Sequence, residues 1–245
     1  MVKVILLCLV LSLALGTQYV PVVKRNVGIP SGNPSGDVKI DLIYDPLCDD
    51  SADFDQNFQK VWTALGSDLQ NRISLRFISL SLPYHLASQK LTQAIIYVQQ
   101  AKGNTQALAL FRDFLSNIDN YDEQNIQNES IGGLMIRIAQ RVNSLFGLNT
   151  EEVLKELAHG SASDGKTRQW SKVVMGSIKV AGTPRMRINE VIVDGATDMT
   201  VQQLVDLIKS LLATTEELTI QWSLYLNRWL KIKQNRLNIH TITFH

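Results

Sequence analysis

Cysteine is scarce in this chain: 245 residues hold two, Cys8 and Cys48. Disulfides therefore do not build the fold. An excess of one charge is lacking too, with 24 Lys and Arg against 23 Asp and Glu. A balanced chain has no bulk attraction for nucleic acid or for an anionic membrane surface. Past residue 15, no stretch is apolar and long enough to span a bilayer, which takes about 20 residues. An integral membrane protein is not expected.

The one long apolar run stands at the start. Lys3 precedes a core of 12 residues, Val4 to Leu15, apolar but for Ser12, and Ala14-Leu15-Gly16 is a small-x-small site before Thr17. This is the pattern of a cleaved secretory signal over residues 1–16. It predicts a protein that is secreted or held in the endoplasmic reticulum lumen. A membrane anchor or a buried N-terminal strand would fit the run less well, because polar residues follow it at once. Cleavage would remove Cys8 and leave Cys48 as the single thiol. Secreted chains usually pair their cysteines. A leftover one implies an intermolecular partner, including a second copy of the chain joined through Cys48, or a reactive thiol. Asn128-Glu129-Ser130 is an acceptor sequon in the polar stretch 119–130, so Asn128 is a candidate glycosylation site.

Residues 17–36 carry three prolines and three glycines and no stable period, and they read as a flexible lead-in. Val38 to Tyr44 alternates as a strand. A helix follows from about Ser51 to Leu69, with the stripe Phe54, Phe58, Val61, Trp62, Leu65 and Leu69. Ser51 or a neighbouring aspartate can cap it. A second strand spans Arg72 to Leu80. Residues 83–178 then turn helical throughout. The stripes are Leu91/Ala94/Ile95/Val98, Leu108/Phe111/Leu115, and Met135/Ile138/Val142/Leu145/Phe146. Asn149 opens a short helix, and a last one runs from about Asp164 to Ile178. Arg185–Asn189 and Val191–Asp194 read as a hairpin, and Thr200-Val-Gln-Gln203 is a capping box opening a final helix. The order β-α-β, inserted helices, β-β-α predicts an α/β fold with parallel first strands. It divides the chain into one domain over 37–82 and 179–213 and an inserted helical subdomain over 83–178. Residues 214–245 mix Trp222, Trp229 and aliphatics with Arg228, Lys231 and Lys233. They read as an extra packed helix or a non-native tail, with a basic amphipathic segment as the competing reading.

Two turns bear on chemistry. Cys48-Asp49-Asp50-Ser51 follows the first strand directly, and Gly182-Thr183-Pro184 precedes the strand at Met186. Together with Pro83-Tyr84-His85 and Ile188-Asn189-Glu190-Val191-Ile-Val-Asp194, and with the order of elements, they resemble the DsbA-like branch of the thioredoxin superfamily over about residues 37–212. The resemblance implies a thioredoxin-like fold and a cis peptide before Pro184, facing the thiol of Cys48. It also implies a site made of Cys48, Ser51, Thr183 and Pro184, where Thr183, Asp49 and Asp50 contact the substrate and a backbone group of Thr183 pairs with a bound peptide. The departure is Ser51. Disulfide oxidants of the family carry Cys-x-x-Cys, and a single thiol cannot hold an internal disulfide.

At Cys48 two electrostatic influences oppose each other. A helix N-terminus favours a thiolate, and nearby carboxylates disfavour it. Ser51 could donate a hydrogen bond to the sulfur or merely cap the helix. His85 could serve as an acid–base partner or as a structural residue at a helix start. The acidic cluster Asp45, Asp49, Asp50, Asp53, Asp55 lacks the glycine and distal glutamate of a calcium loop and reads as solvated charge, so no metal is expected. Three functions fit. One is monothiol thiol–disulfide exchange on thiol- or disulfide-containing proteins or peptides, with no bound cofactor and with glutathione as a candidate co-substrate. Another is a non-catalytic peptide-binding or chaperone-like module. The last is a glutathione-using transferase.

Overall fold

The structure is a computed structural model that describes residues 27–213. The expectations for the signal, for most of the lead-in and for residues 214–245 fall outside the described residues.

The sheet grows from Val38–Tyr44 (β2), in which every residue but Lys39 is buried. A run so apolar suits a strand covered on both faces. Asp49–Gln70 (α1) follows and crosses over to Ile73–Ser79 (β3), which pairs with β2 in parallel, Leu42 opposite Phe77. Arg185–Ile188 (β4) pairs antiparallel on the other side of β2, and Val191–Ile192 (β5) completes the hairpin. Its turn residues Asn189 and Glu190 both take positive φ, 47° and 71°, as a tight hairpin turn requires.

One strand departs from the sequence expectation. Residues 29–32, read above as lead-in, form Ile29–Gly32 (β1), antiparallel to β3 at the sheet edge, in the order β1-β3-β2-β4-β5. Pro30 lacks an N–H and is tolerated because an edge strand need not donate on both sides. Gly28, at φ 91°, brings its backbone so near β3 that a Cβ there would stand 2.6 Å from the Phe77 carbonyl oxygen.

One face of the sheet holds an aromatic core. Tyr44 is fully buried and meets Phe54 and Phe77 edge-on at 6.1 Å each and Phe111 at 6.3 Å. Burying one such side chain contributes about 1.5–3 kcal/mol, so this cluster fixes α1 on the sheet. On the other face, Asp41 accepts from Arg76 of β3 at 2.9 Å and from Arg187 of β4 at 3.1 Å, tying three strands together. Asp41 and Arg187 are themselves buried. Burial demands such pairing of charged groups.

Between β3 and β4 the chain is helical: Ser88–Lys102 (α2), Asn104–Leu115 (α3), Glu123–Ile126 (α4), Ile131–Phe146 (α5), Thr150–Leu157 (α6) and Ala162–Ser171 (α7), with a 3-10 turn at Ile118–Asn120. α2 is central to this group and touches α3, α5, α6 and α7. Asn149 caps α6 by accepting from the amides of Glu151 and Glu152. Leu145 is the exception to its predicted stripe and stays exposed near the end of α5, just before the chain turns away at Gly147. The expected single helix to Ile178 is divided: α7 passes into a wider π-helical stretch, Lys172–Ile178, closed by Lys179 in a left-handed conformation. Val201–Leu212 (α8) ends the described chain, packs against α1 and starts with the full capping box of Thr200 and Gln203. Among the described residues no helix is long and apolar enough to cross a membrane.

Candidate functional site

Cys48 ends the connection from β2 to α1 and occupies the N-cap position of that helix, with extended backbone (φ −93°, ψ 117°). The turn before it is built by proline chemistry. Pro46 follows Asp45, and the Cys48 amide closes the turn on the Asp45 carbonyl at 3.2 Å. The Cys48 carbonyl accepts from the amides of Ser51 (2.9 Å) and Ala52 (3.1 Å), so the helix starts at Asp49, two residues before the expected point. The first amides of a helix, here those of Asp49 and Asp50, have no intrahelical acceptor.

The second turn meets the first across 135 positions of sequence: the Cys48 thiol donates to the Thr183 carbonyl oxygen at 3.6 Å. The peptide from Thr183 to Pro184 is cis. Pro184 is buried, and the Thr183 hydroxyl is buried without a hydrogen-bond partner. A buried hydroxyl left unpaired is costly and asks for an explanation. Here it stands beside the only cysteine among the described residues, itself 8% exposed. Behind Pro184 a cleft of about 100 Å³ runs past Arg185, Asp194 and Thr197.

Ser51 is not the helix cap. It sits in the first turn of α1, fully buried, and its hydroxyl accepts from the Asp45 amide at 3.4 Å. Its bond thus goes to the backbone of the turn that carries Cys48, and none to the sulfur is found. Asp49 and Asp50 are exposed on the first turn of α1, directly after Cys48 in the chain.

The acidic cluster is not uniformly solvated. Asp53 is exposed like Asp49 and Asp50, whereas Asp45 and Asp55 are buried. Asp55 accepts from Arg112 at 3.0 Å and Gln59 at 2.8 Å, which clamps α3 to α1. Asp45 accepts from the Leu47 amide at 2.8 Å and the Leu82 amide at 2.6 Å. Its second oxygen also lies 3.1 Å from Nδ1 of His85, outside hydrogen-bonding alignment. Burial pushes the Asp45 carboxyl above the usual range, opposed by those two amides and by His85. Nothing in the run of aspartates separates the buried pair from the solvated ones. The signal that could have found Asp45 is its place before Pro46, at the exit of a buried strand. Tyr84, stacked edge-on against His85 at 4.7 Å, and Leu86 are more than half exposed on the same loop. Asn128 is exposed in the turn between α4 and α5, and Ser130 of its sequon caps α5 by accepting from the Gly133 amide at 3.0 Å. Among the described residues no group of three or more His, Cys, Asp or Glu side chains is gathered as for a metal.

No family model and no curated protein matches the chain. Solved structures do. BdbD from Bacillus subtilis aligns with a TM-score of 0.60 at 12% identity, over 76% of this chain and 92% of that one. DsbA of Chlamydia trachomatis aligns at 0.56 and 14%, over 80% and 96%. A thioredoxin-like oxidoreductase from Silicibacter pomeroyi aligns at 0.55 and 18%, over 76% and 94%. The fold is therefore the α/β, thioredoxin-like fold of the DsbA type.

Proposed function

We propose that the protein is a secretory-route thiol–disulfide exchange protein that works through the single thiol of Cys48. The observation that carries the reading is the meeting of Cys48 with Thr183–Pro184 at the start of α1. A helix N-terminus stabilises a thiolate through its dipole and free amides. In the first step that thiolate attacks one sulfur of a disulfide R–S–S–R′. The Cys48–S–S–R bond forms, the old S–S bond breaks, and R′ leaves as a thiolate that takes up a proton. No second cysteine stands at position 51 to resolve the intermediate, so an external thiol must do so. It attacks the R sulfur, forms the new disulfide and returns Cys48 as thiolate. Disulfides are exchanged between partners, and the protein ends with the electrons it began with. Glutathione suits the second step as a small diffusible thiol, and no bound cofactor is needed.

Thr183 gives the substrate its first contacts in this reading. Its carbonyl, released from the thiol proton when Cys48 ionises, accepts from a peptide laid beside Pro184. Asp49 and Asp50 flank the thiol on the open side and favour basic sequences around the attacked sulfur. The glycan at Asn128 follows from the same route.

A second reading, peptide binding without turnover, is favoured by Ser51 in the resolving position and by the exposed Tyr84 and Leu86. One experiment separates the two. The intact protein is incubated with a disulfide-bearing peptide and resolved by non-reducing electrophoresis, with Cys48→Ser alongside. Exchange predicts a reductant-sensitive adduct that Cys48→Ser cannot form. Equal retention of the peptide by both proteins, with no adduct, overturns exchange in favour of binding. A second copy of the chain caught on Cys48 would appear in the same lanes as a dimer.

A further inference from the structure

We propose that Asp45 is a positioning residue for Cys48: its carboxylate bridges the amides of Leu47 and Leu82 and so holds the turn carrying the thiol against the loop carrying Tyr84 and Leu86. The inference rests on the exchange chemistry proposed for Cys48.

Asp45 is fully buried, and four ties converge on it. One carboxylate oxygen accepts from Leu47, the residue next to Cys48, and the other from Leu82, beyond β3. Its carbonyl accepts from the Cys48 amide, and its amide donates to Ser51. Leu47, Cys48 and Ser51 thus each refer back to this one side chain or its backbone. Leu82 brings in the second segment, since the His85 amide donates to the Leu82 carbonyl at 3.1 Å. Ser88, at the start of α2, is buried nearby and also acts on the carboxyl.

Such a residue is an expensive way to hold a turn. Ionised groups are rarely buried without a full counter-charge, and the one titratable partner acting on Asp45 from a neighbouring element is His85. On its own segment the titratable neighbours are Tyr44, whose ring packs into the aromatic core, and the thiol three residues on, while Asp49 and Asp50 face solvent. Two neutral amides give the carboxylate its hydrogen bonds. The raised proton affinity of the site makes the bridge conditional: when Asp45 is protonated, one oxygen becomes a donor and faces an amide that also donates. The turn then loses one of its two anchors.

The test uses the intact protein with Asp45→Asn, Asp45→Ala and His85→Asn. Dipyridyl disulfide, a small neutral reagent that reads thiol reactivity in acid as well as at neutral pH, is followed by absorbance. The wild type is expected to show an inflection on the acid side, apart from that of the thiol itself. Both Asp45 variants lose it, and Asp45→Ala changes the neutral rate by about tenfold, within the range that small misplacements of a reacting group produce. His85→Asn keeps the inflection and moves it to higher pH, because the histidine helps to hold the carboxyl down; a merely structural role for Asp45 would not respond to that change. Asp45 variants that are folded by circular dichroism and keep the wild-type rates and profile overturn the proposal. If neither Asp45 variant folds, an unmoved or missing acid inflection in His85→Asn overturns it. A wild type that reacts with the reagent yet forms no adduct with disulfide peptides defeats exchange as the function, while the profiles still decide the role of Asp45.

Discussion

Two buried side chains at the end of β2 make opposite demands. The Tyr44 hydroxyl is buried without a hydrogen-bond partner, and burial holds its proton well above the ordinary range. A buried polar atom left unpaired costs about 1–3 kcal/mol. Tyr44→Phe keeps the ring contacts with Phe54, Phe77 and Phe111 and removes that atom, so it should raise stability by about 1 kcal/mol in urea unfolding; a loss of that size would show a hidden partner. Asp45 behaves differently, because its folded carboxyl binds a proton more tightly than the unfolded one. Its contribution is therefore fully present below the unfolded value of 3.8 and is lost as pH rises through the raised folded value. Unfolding of the wild type and of Asp45→Asn, compared across pH, should show the wild type gaining on the variant as pH falls toward 4. A constant difference would mean that Asp45 does not titrate in the fold. Ser51→Cys tests the missing thiol: with a second cysteine the mixed disulfide should resolve internally, and the adduct with peptide should become short-lived in non-reducing gels.

At the scale of elements, legibility follows local physics. α1, β2, β3, the hairpin and the caps of α6 and α8 could be read because periodicity and capping are written in neighbouring residues. Thr200→Ala, which removes the side chain that anchors the capping box, should cost about 1 kcal/mol in unfolding, within the usual range for lost caps. β1 was not legible. Pro30, Gly28 and Gly32 signal a loop, and only the open edge of β3 makes Ile29–Gly32 a strand. Gly28→Ala checks that account: with positive φ and no room for a Cβ, it should destabilise by more than about 1 kcal/mol. The π-helical stretch Lys172–Ile178 had no signal in its sequence either, since its residues suit an ordinary helix as well. The site divides in the same way. The Cys48 turn and the Thr183–Pro184 turn could each be read, while the separation of Asp45 and Asp55 from their solvated neighbours depends on tertiary burial.

For the whole molecule, the sheet brings a thiol at the end of one turn to a carbonyl 135 positions away, and the loop that leads into the helices between β3 and β4 exposes Tyr84 and Leu86. The secretory route is tested at this scale. Protein recovered from a eukaryotic secretory system should carry one glycan at Asn128, seen as a mobility shift lost in Asn128→Gln; unmodified secreted protein would remove the sequon from the account. The central claim is that Cys48 exchanges disulfides as a lone nucleophile, and mass spectrometry of the protein mixed with a disulfide peptide tests it most directly. The account predicts a single peptide adduct on Cys48, formed faster than on free cysteine and released by added glutathione with the thiol regenerated. No adduct, or a rate no greater than that of free cysteine, would contradict it.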